Sequence, residues 1–194
     1  VDDEYNAIAI GPGMGTDPRT ALAVDSLFKR FKKPIIIDAD ALNAIAGNRM
    51  LLQSIPPMSV ITPHVGEFEK LFDGSTSDES RLCKAISMAK RYKIIIVLKG
   101  RYTMVIRPDE KVYINSSGSP ALATPGSGDV LTGIILGLLA QGYPPRDAAL
   151  LGVGLHALSG DLAASELGQH SLIASDLIKY LHKAFKRVSD EHKP

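Results

Sequence analysis

The segment Thr124-Pro125-Gly126-Ser127-Gly128-Asp129, which runs on into Val130-Leu131-Thr132-Gly133, concentrates residue types able to hold an anion. Glycines at 126 and 128 let the backbone approach a ligand closely, and a helix beginning there points its free amides back at them. Such a helix start carries about half a positive charge, which suits phosphate oxygens. Asp129 falls in the first turn of that helix, where two readings stand side by side. It is either a carboxylate that offsets the helix dipole, worth about 0.3–1 kcal/mol, or a general base beside a bound phosphate. No Lys-Ser or Lys-Thr pair follows the glycines, so this is not a Walker-type loop.

The elements that must carry this turn follow from hydrophobic patterning. Short β-branched runs alternate with amphipathic segments, the pattern of parallel strands joined by crossover helices. Strands are expected at 7–10, 35–37, 60–61 and 94–98, and a hairpin over 103–106 and 112–114 across Pro108-Asp109-Glu110. Thr16 or Asp17 caps a first helix with Pro18 in its first turn and a buried stripe of Ala21, Leu22, Val24, Leu27, Phe28 and Phe31. A second helix is expected over 65–72. A third opens at Ser77-Asp78 and buries Leu82, Ala85, Ile86 and Ala89, with Cys83 among them as a buried thiol. Helices over 127–141, 145–165 and 175–187 complete the chain, the stretch 130–140 being buried on all sides. With no internal repeat, low-complexity tract or linker, residues 1–194 are expected to form one domain, an α/β doubly wound, mostly parallel sheet with helices on both faces. Such sheets bind ligands beyond the carboxyl ends of their strands. The glycine-rich and polar residues fall at those ends: 11–15, 38–43, 62–67 and 99–103.

Composition narrows the classes of partner. Hydrophobic residues make up 45% and charged residues 22% at a formal net charge of +1, so no strong field recruits nucleic acid or a membrane surface. A single cysteine excludes an internal disulfide and a cysteine-rich metal site, and fits a reducing compartment such as the cytoplasm. The opening Val1-Asp2-Asp3-Glu4 is not a leader pattern. The apolar stretch 130–140, broken by Thr132, Gly133 and Gly137, is too short to span a bilayer.

Gly126-Ser127-Gly128-Asp129 at the head of a buried helix resembles the anion-hole motif of ribokinase-like small-molecule kinases. Further segments narrow the match: Ala9-Ile10-Gly11-Pro12-Gly13-Met14-Gly15, Ile37-Asp38-Ala39-Asp40-Ala41-Leu42-Asn43, Ile61-Thr62-Pro63-His64-Val65-Gly66-Glu67 and Leu98-Lys99-Gly100-Arg101-Tyr102-Thr103. With residues 121–133 they resemble the NAD(P)H-hydrate dehydratase family, from Ile8 to at least Leu162. That resemblance implies a ribokinase-like three-layer fold and a repair lyase. Such an enzyme dehydrates hydrated NADH or NADPH at the expense of ADP (favoured here over ATP), with Mg2+, and works as a homo-oligomer, a tetramer being favoured.

Carried over residue by residue, the resemblance makes Asp129 the catalytic base and a substrate contact. Lys99, Gly100, Arg101, Tyr102 and Thr103 with Gly126, Ser127 and Gly128 become nucleotide contacts. Gly15, Asn43 and His64 contact the hydrated cofactor, and Glu67 organises magnesium through water. Each has a plainer competitor: Lys99 as a solvated lysine, and His64 and Glu67 as groups that cap their own helix. Asp38 and Asp40 read as loop braces ahead of a metal-binding pair, and His156, in an apolar run, as a hydrogen-bonded core histidine. Thiazole and hydroxymethylpyrimidine kinases carry asparagine where His64 stands, which favours the dehydratase over such a kinase. Asp129 argues against a silent nucleotide-binding subunit. Family members carry a further N-terminal portion where only residues 1–6 precede the first strand. The chain is therefore expected to be a fragment, a shortened relative or one completed by another polypeptide, with strand 7–10 covered by residues from elsewhere.

Overall fold

The computed structural model describes residues 5–191; the leader reading at residues 1–4 lies outside them. β1 (Ile8–Ile10), β2 (Ile35–Ile37), β3 (Val60–Ile61) and β4 (Ile95–Leu98) run parallel, and β5 (Met104–Ile106) and β6 (Val112–Ile114) form the antiparallel hairpin. They make one six-stranded sheet in the order β1-β2-β3-β4-β5-β6.

Because side chains alternate across a strand, each isoleucine run feeds two cores. Ile35, Ile37, Ile61 and Ile96 face α1 (Pro18–Arg30), α2 (Ala39–Gly47), α3 (Val65–Phe72) and α4 (Asp78–Tyr92), where Val24, Phe28, Ile45, Phe68 and Ala85 close the layer. Ile36, Val60, Ile95 and Val97 face the opposite layer, α5 (Ser127–Ala140), α6 (Pro145–Leu167) and α7 (Ala174–Glu191), through Leu131, Ile135, Leu138, Val153 and Ala184.

Several local expectations are corrected. Leu22 is 71% exposed, because the buried face of α1 follows Thr20, Val24 and Phe28 at near four-residue spacing and residue 22 falls opposite them. Cys83 is exposed: α4 buries Ala85 and Ala89, and one residue after Leu82 the helix has turned its side chain away from the sheet. α5 is not buried all round, since Gly133, Gly137 and Ala140 form an open strip on it. Residues after β2 do not form a loop but enter α2 at once, with Asp38 at the N-cap position and Ala39 at a φ of 47°. α6, not the stretch 130–140, is long and apolar enough by length and composition to cross a membrane; here it packs against α5 and α7 with 50% of its apolar window buried.

Candidate active site

The carboxyl ends of β1 and β2 meet first. The Asp38 amide donates to Ile10 O at 3.0 Å, and a Cβ on Gly11 (φ 122°) would lie 1.7 Å from Asp38 O, so only glycine lets the two strand exits touch. From this junction the two aspartates diverge. Asp40 Oδ2 accepts from the Gly15 amide at 2.8 Å and braces the β1–α1 loop. Asp38 turns inward, 1% exposed, and both its oxygens are occupied: Lys99 Nζ donates to Oδ1 at 2.9 Å and Thr132 Oγ1 to Oδ2 at 2.9 Å. Among the described residues no three His, Cys, Asp or Glu side chains converge as a metal cage.

Lys99 leaves β4 with its amide bonded to Pro63 O at 2.8 Å, which sets it beside His64 in a short parallel bridge. Its side chain is 22% exposed and held by Asp38, so the solvated reading does not describe it. His64 is the N-cap of α3: its Nδ1 accepts from the Glu67 amide at 3.2 Å, while Glu67 Oε2 accepts from the His64 amide at 2.8 Å. Asn43 stands on α2, its Nδ2 donating to Ala39 O at 3.3 Å and its Oδ1 accepting from Lys70 at 3.4 Å.

The start of α5 is built differently. Gly126, at a φ of 83°, is its N-cap and supplies no side chain. The Ser127 amide donates back to Thr124 O at 3.2 Å and the Val130 amide to Gly126 O at 3.1 Å. Among the described residues this leaves the amides of Gly126, Gly128 and Asp129 as free donors, so of the three amides that the motif suggests only that of Ser127 is taken. Ser127 is buried and held by His156, whose Nε2 lies 3.0 Å from both Ser127 Oγ and Ser127 O. Burial lowers the pKa of His156 to about 4, with the Ser127 carbonyl raising it and the Lys99 charge lowering it, so the imidazole is neutral at neutral pH. The Asp129 carboxylate is exposed and takes no hydrogen bond or ion pair from a described residue.

These pieces border a cavity of about 870 Å³. Lys99, Gly100, Arg101, Tyr102 and Thr103 line one side, Ser127, Gly128 and His156 the other, and His64 the rim nearest α3. The Arg101 guanidinium stacks over the Tyr102 ring at 5.4 Å. Gly126 and Asp129 flank the lining residues Ser127 and Gly128 without lining the cavity themselves, and Gly15, Asn43 and Glu67 also lie outside its lining, after β1, β2 and β3. The loop 115–120, Leu131 and Val153 join this wall, and Thr132 the network beneath it, beyond the residues expected from the sequence. The signals that point to them are the Ser-Gly-Ser-Pro run at 117–120, a loop composition, and the position of Thr132 four residues after Gly128, on the same helix face.

A glycine-rich helix start facing a strand-end lysine across a cleft is a nucleotide-site geometry, and the chain's similarities agree with it. The NAD(P)H-hydrate dehydratase family model matches residues 1–183. The chain belongs to that family. Among its relatives is the bifunctional NAD(P)H-hydrate repair enzyme Nnr of Moorella thermoacetica, 43% identical over 191 residues, 97% of this chain and 36% of that protein. The chain thus spans about a third of the length of such bifunctional relatives. Among solved structures, the ADP/ATP-dependent NAD(P)H-hydrate dehydratase of Bacillus subtilis, co-crystallised with ATP and Mg2+, matches at a TM-score of 0.83 and 33% identity over 96% of this chain and 68% of that one. A ribokinase-like superfamily protein of Enterococcus faecalis matches at 0.76 and 30% identity over 92% of this chain and 63% of its own. The fold of the family member described here is ribokinase-like.

Proposed function

We propose that this chain repairs hydrated NADH and NADPH by nucleotide-dependent dehydration, with ADP favoured over ATP as co-substrate. The observation that carries this is the single cleft in which segment 99–103 faces the open start of α5. The base and sugar of the nucleotide lie along 99–103, and its phosphates reach the free amides of Gly128 and Asp129 beside the Lys99 ammonium. Gly15, Asn43 and His64, on the neighbouring strand ends, border the side on which the hydrated ring is received. Asp129, unpaired at the cleft edge, removes the proton of the ring hydroxyl as the terminal phosphoryl group passes to that oxygen. The phosphate then departs with the electrons of its C–O bond, a proton leaves the neighbouring ring carbon, and the ring double bond is restored.

Magnesium fits this donor set as the counter-ion of the nucleotide. Glu67 has Oε2 committed to the α3 cap and would meet the ion through water, in keeping with the waters that Mg2+ retains. Held by phosphate oxygens, it would neutralise charge on the transferring group. Self-association belongs to the same reading, supported by the edge strand β6, which exposes Tyr113 and Ile114.

The test is incubation with hydrated NADH, Mg2+ and either ADP or ATP, following recovery of the reduced-ring absorbance together with phosphate release. Recovery that requires a nucleotide is expected, faster with ADP. Nucleotide consumption only with a thiazole or pyrimidine alcohol would assign a small-molecule kinase instead. ADP at about one hundred times its Kd should stabilise the fold by about 2.7 kcal/mol, and no melting shift with millimolar ADP or ATP would overturn the nucleotide site.

A further inference from the structure

A carboxylate as buried as Asp38 is tolerated when both oxygens are paired, and here one partner is the lysine that faces the phosphate turn. The geometry around Gly128 shows what the pairing achieves. A Cβ built on Gly128 would lie 3.2 Å from Lys99 Nζ and 3.8 Å from Asp38 Oδ2, so the ammonium sits directly against the backbone that carries a free amide. A lysine on its four-carbon stem would otherwise sample many rotamers and favour water over the positive end of a helix. Thr132, on α5 itself, binds the second oxygen, which ties the orientation of the helix start to the same carboxylate.

We infer that Asp38 is a positioning residue that locks the Lys99 ammonium and the α5 amides into one frame for the terminal phosphate of a nucleoside di- or triphosphate. The inference rests on the nucleotide reading above and assigns Asp38 neither a proton-transfer role nor a metal. Preorganised charge of this kind needs no reorientation when the phosphate arrives. The frame joins the ends of β2 and β4 to the head of α5, and glycine at 128 leaves the ammonium its place, since a Cβ there would lie 3.2 Å from Lys99 Nζ and ask it to give way.

The experiment compares the parent chain with Asp38→Asn, Lys99→Met and the double variant. Affinity for ADP and for AMP is measured by calorimetry with Mg2+ present, alongside melting temperature and turnover of hydrated NADH. Asp38→Asn and Lys99→Met should each weaken ADP about 10- to 100-fold, the range of a hydrogen bond to a charged group. AMP, which lacks the terminal phosphate, should change by no more than about twofold in Asp38→Asn, and the double variant should bind ADP no more weakly than Lys99→Met. Lys99→Met alone should melt lowest, because it strands the buried carboxylate, and the double variant should recover part of that loss. ADP affinity within about twofold of the parent in folded Asp38→Asn, equal weakening of ADP and AMP, or effects that simply add would overturn the inference. If Asp38→Asn does not fold, Thr132→Val carries the same test, with ADP weakened more than AMP as the expected result and equal weakening as the overturning one. A parent that binds ADP yet leaves hydrated NADH untouched would refute the dehydratase reading alone. A parent that turns the substrate over while Asp38→Asn is indifferent would refute this inference alone.

Discussion

Helices α3 and α5 start at the same edge of the sheet with glycine at the second position and an acid at the third, Gly66-Glu67 in one and Gly128-Asp129 in the other. They dispose of their free amides in opposite ways. In α3 the His64 side chain accepts from the Glu67 amide and Glu67 returns the bond to the His64 amide, so the third amide is closed and its carboxylate is buried, while the Val65 and Gly66 amides take no acceptor. In α5 the cap is a glycine in the left-handed region, the Gly128 and Asp129 amides stay free, and the acid remains exposed and unpaired. A start whose third amide is capped by its own side chain is held from within. The open start of α5 is held by other elements, by His156 from α6 at Ser127 and by Asp38, between β2 and α2, at Thr132.

The contrast is broken most sharply at Asp129. Asp129→Asn keeps the size of the side chain but removes the basic oxygen. It should lower turnover of hydrated NADH about 100- to 10,000-fold, or about 3–5 kcal/mol in activation free energy. Stability should change by no more than about 1 kcal/mol, since only a dipole-offsetting charge is lost, and ADP affinity should hold or rise slightly. Turnover within about tenfold of the parent, short of the general-base range, would make Asp129 a helix-start residue like Glu67.

The outside brace at α5 predicts a pH dependence. The folded pKa of His156 is depressed to about 4 against the ordinary 6.5 of an imidazole, so the unfolded chain binds the extra proton first. Its contribution is fully present above about pH 6.5 and is lost as pH falls toward about 4, by on the order of 3 kcal/mol at most. Urea unfolding at several pH values should show this slope in the parent and a shallower one in His156→Gln, which retains a side-chain amide to bond Ser127. Equal slopes in the two proteins would show that His156 is not what holds the head of α5 against acid.

The smallest effect belongs to α3. Glu67→Ala breaks the capping box and should cost about 0.5–2 kcal/mol, a melting decrease of about 2–4 °C per kcal/mol for a chain of this size. Calorimetry checks the shift, and turnover below the transition should stay within about tenfold of the parent at saturating ADP and Mg2+, short of the loss of a catalytic group. A larger loss of turnover that added Mg2+ relieves would show that the water-mediated role of Glu67 toward the ion outweighs its role in the cap.

Residues that act through their own neighbours in the chain were legible before any fold was known. Glycines 126 and 128 announced an open helix start, Thr16-Asp17 and Ser77-Asp78 announced the starts of α1 and α4, where Asp17 and Ser77 are the caps, and the isoleucine runs announced buried parallel strands, because caps and alternation depend on hydrogen bonds and periods only a few residues long. Leu22 and Cys83 were misplaced because an apolar residue beside a stripe is separated from it only by the helix rotation that packing selects. The frame around the phosphate turn was out of reach for a deeper reason. Asp38 meets Lys99 across 61 residues and Thr132 across 94, and Ser127 meets His156 across 29. A strand-end Asp-Ala-Asp does not say which aspartate turns inward. The sheet register and the seating of α5 on β2 decided that Asp38 is buried against Lys99 while Asp40 braces the Gly15 loop, because a buried carboxylate must find its partners wherever the packed elements bring them.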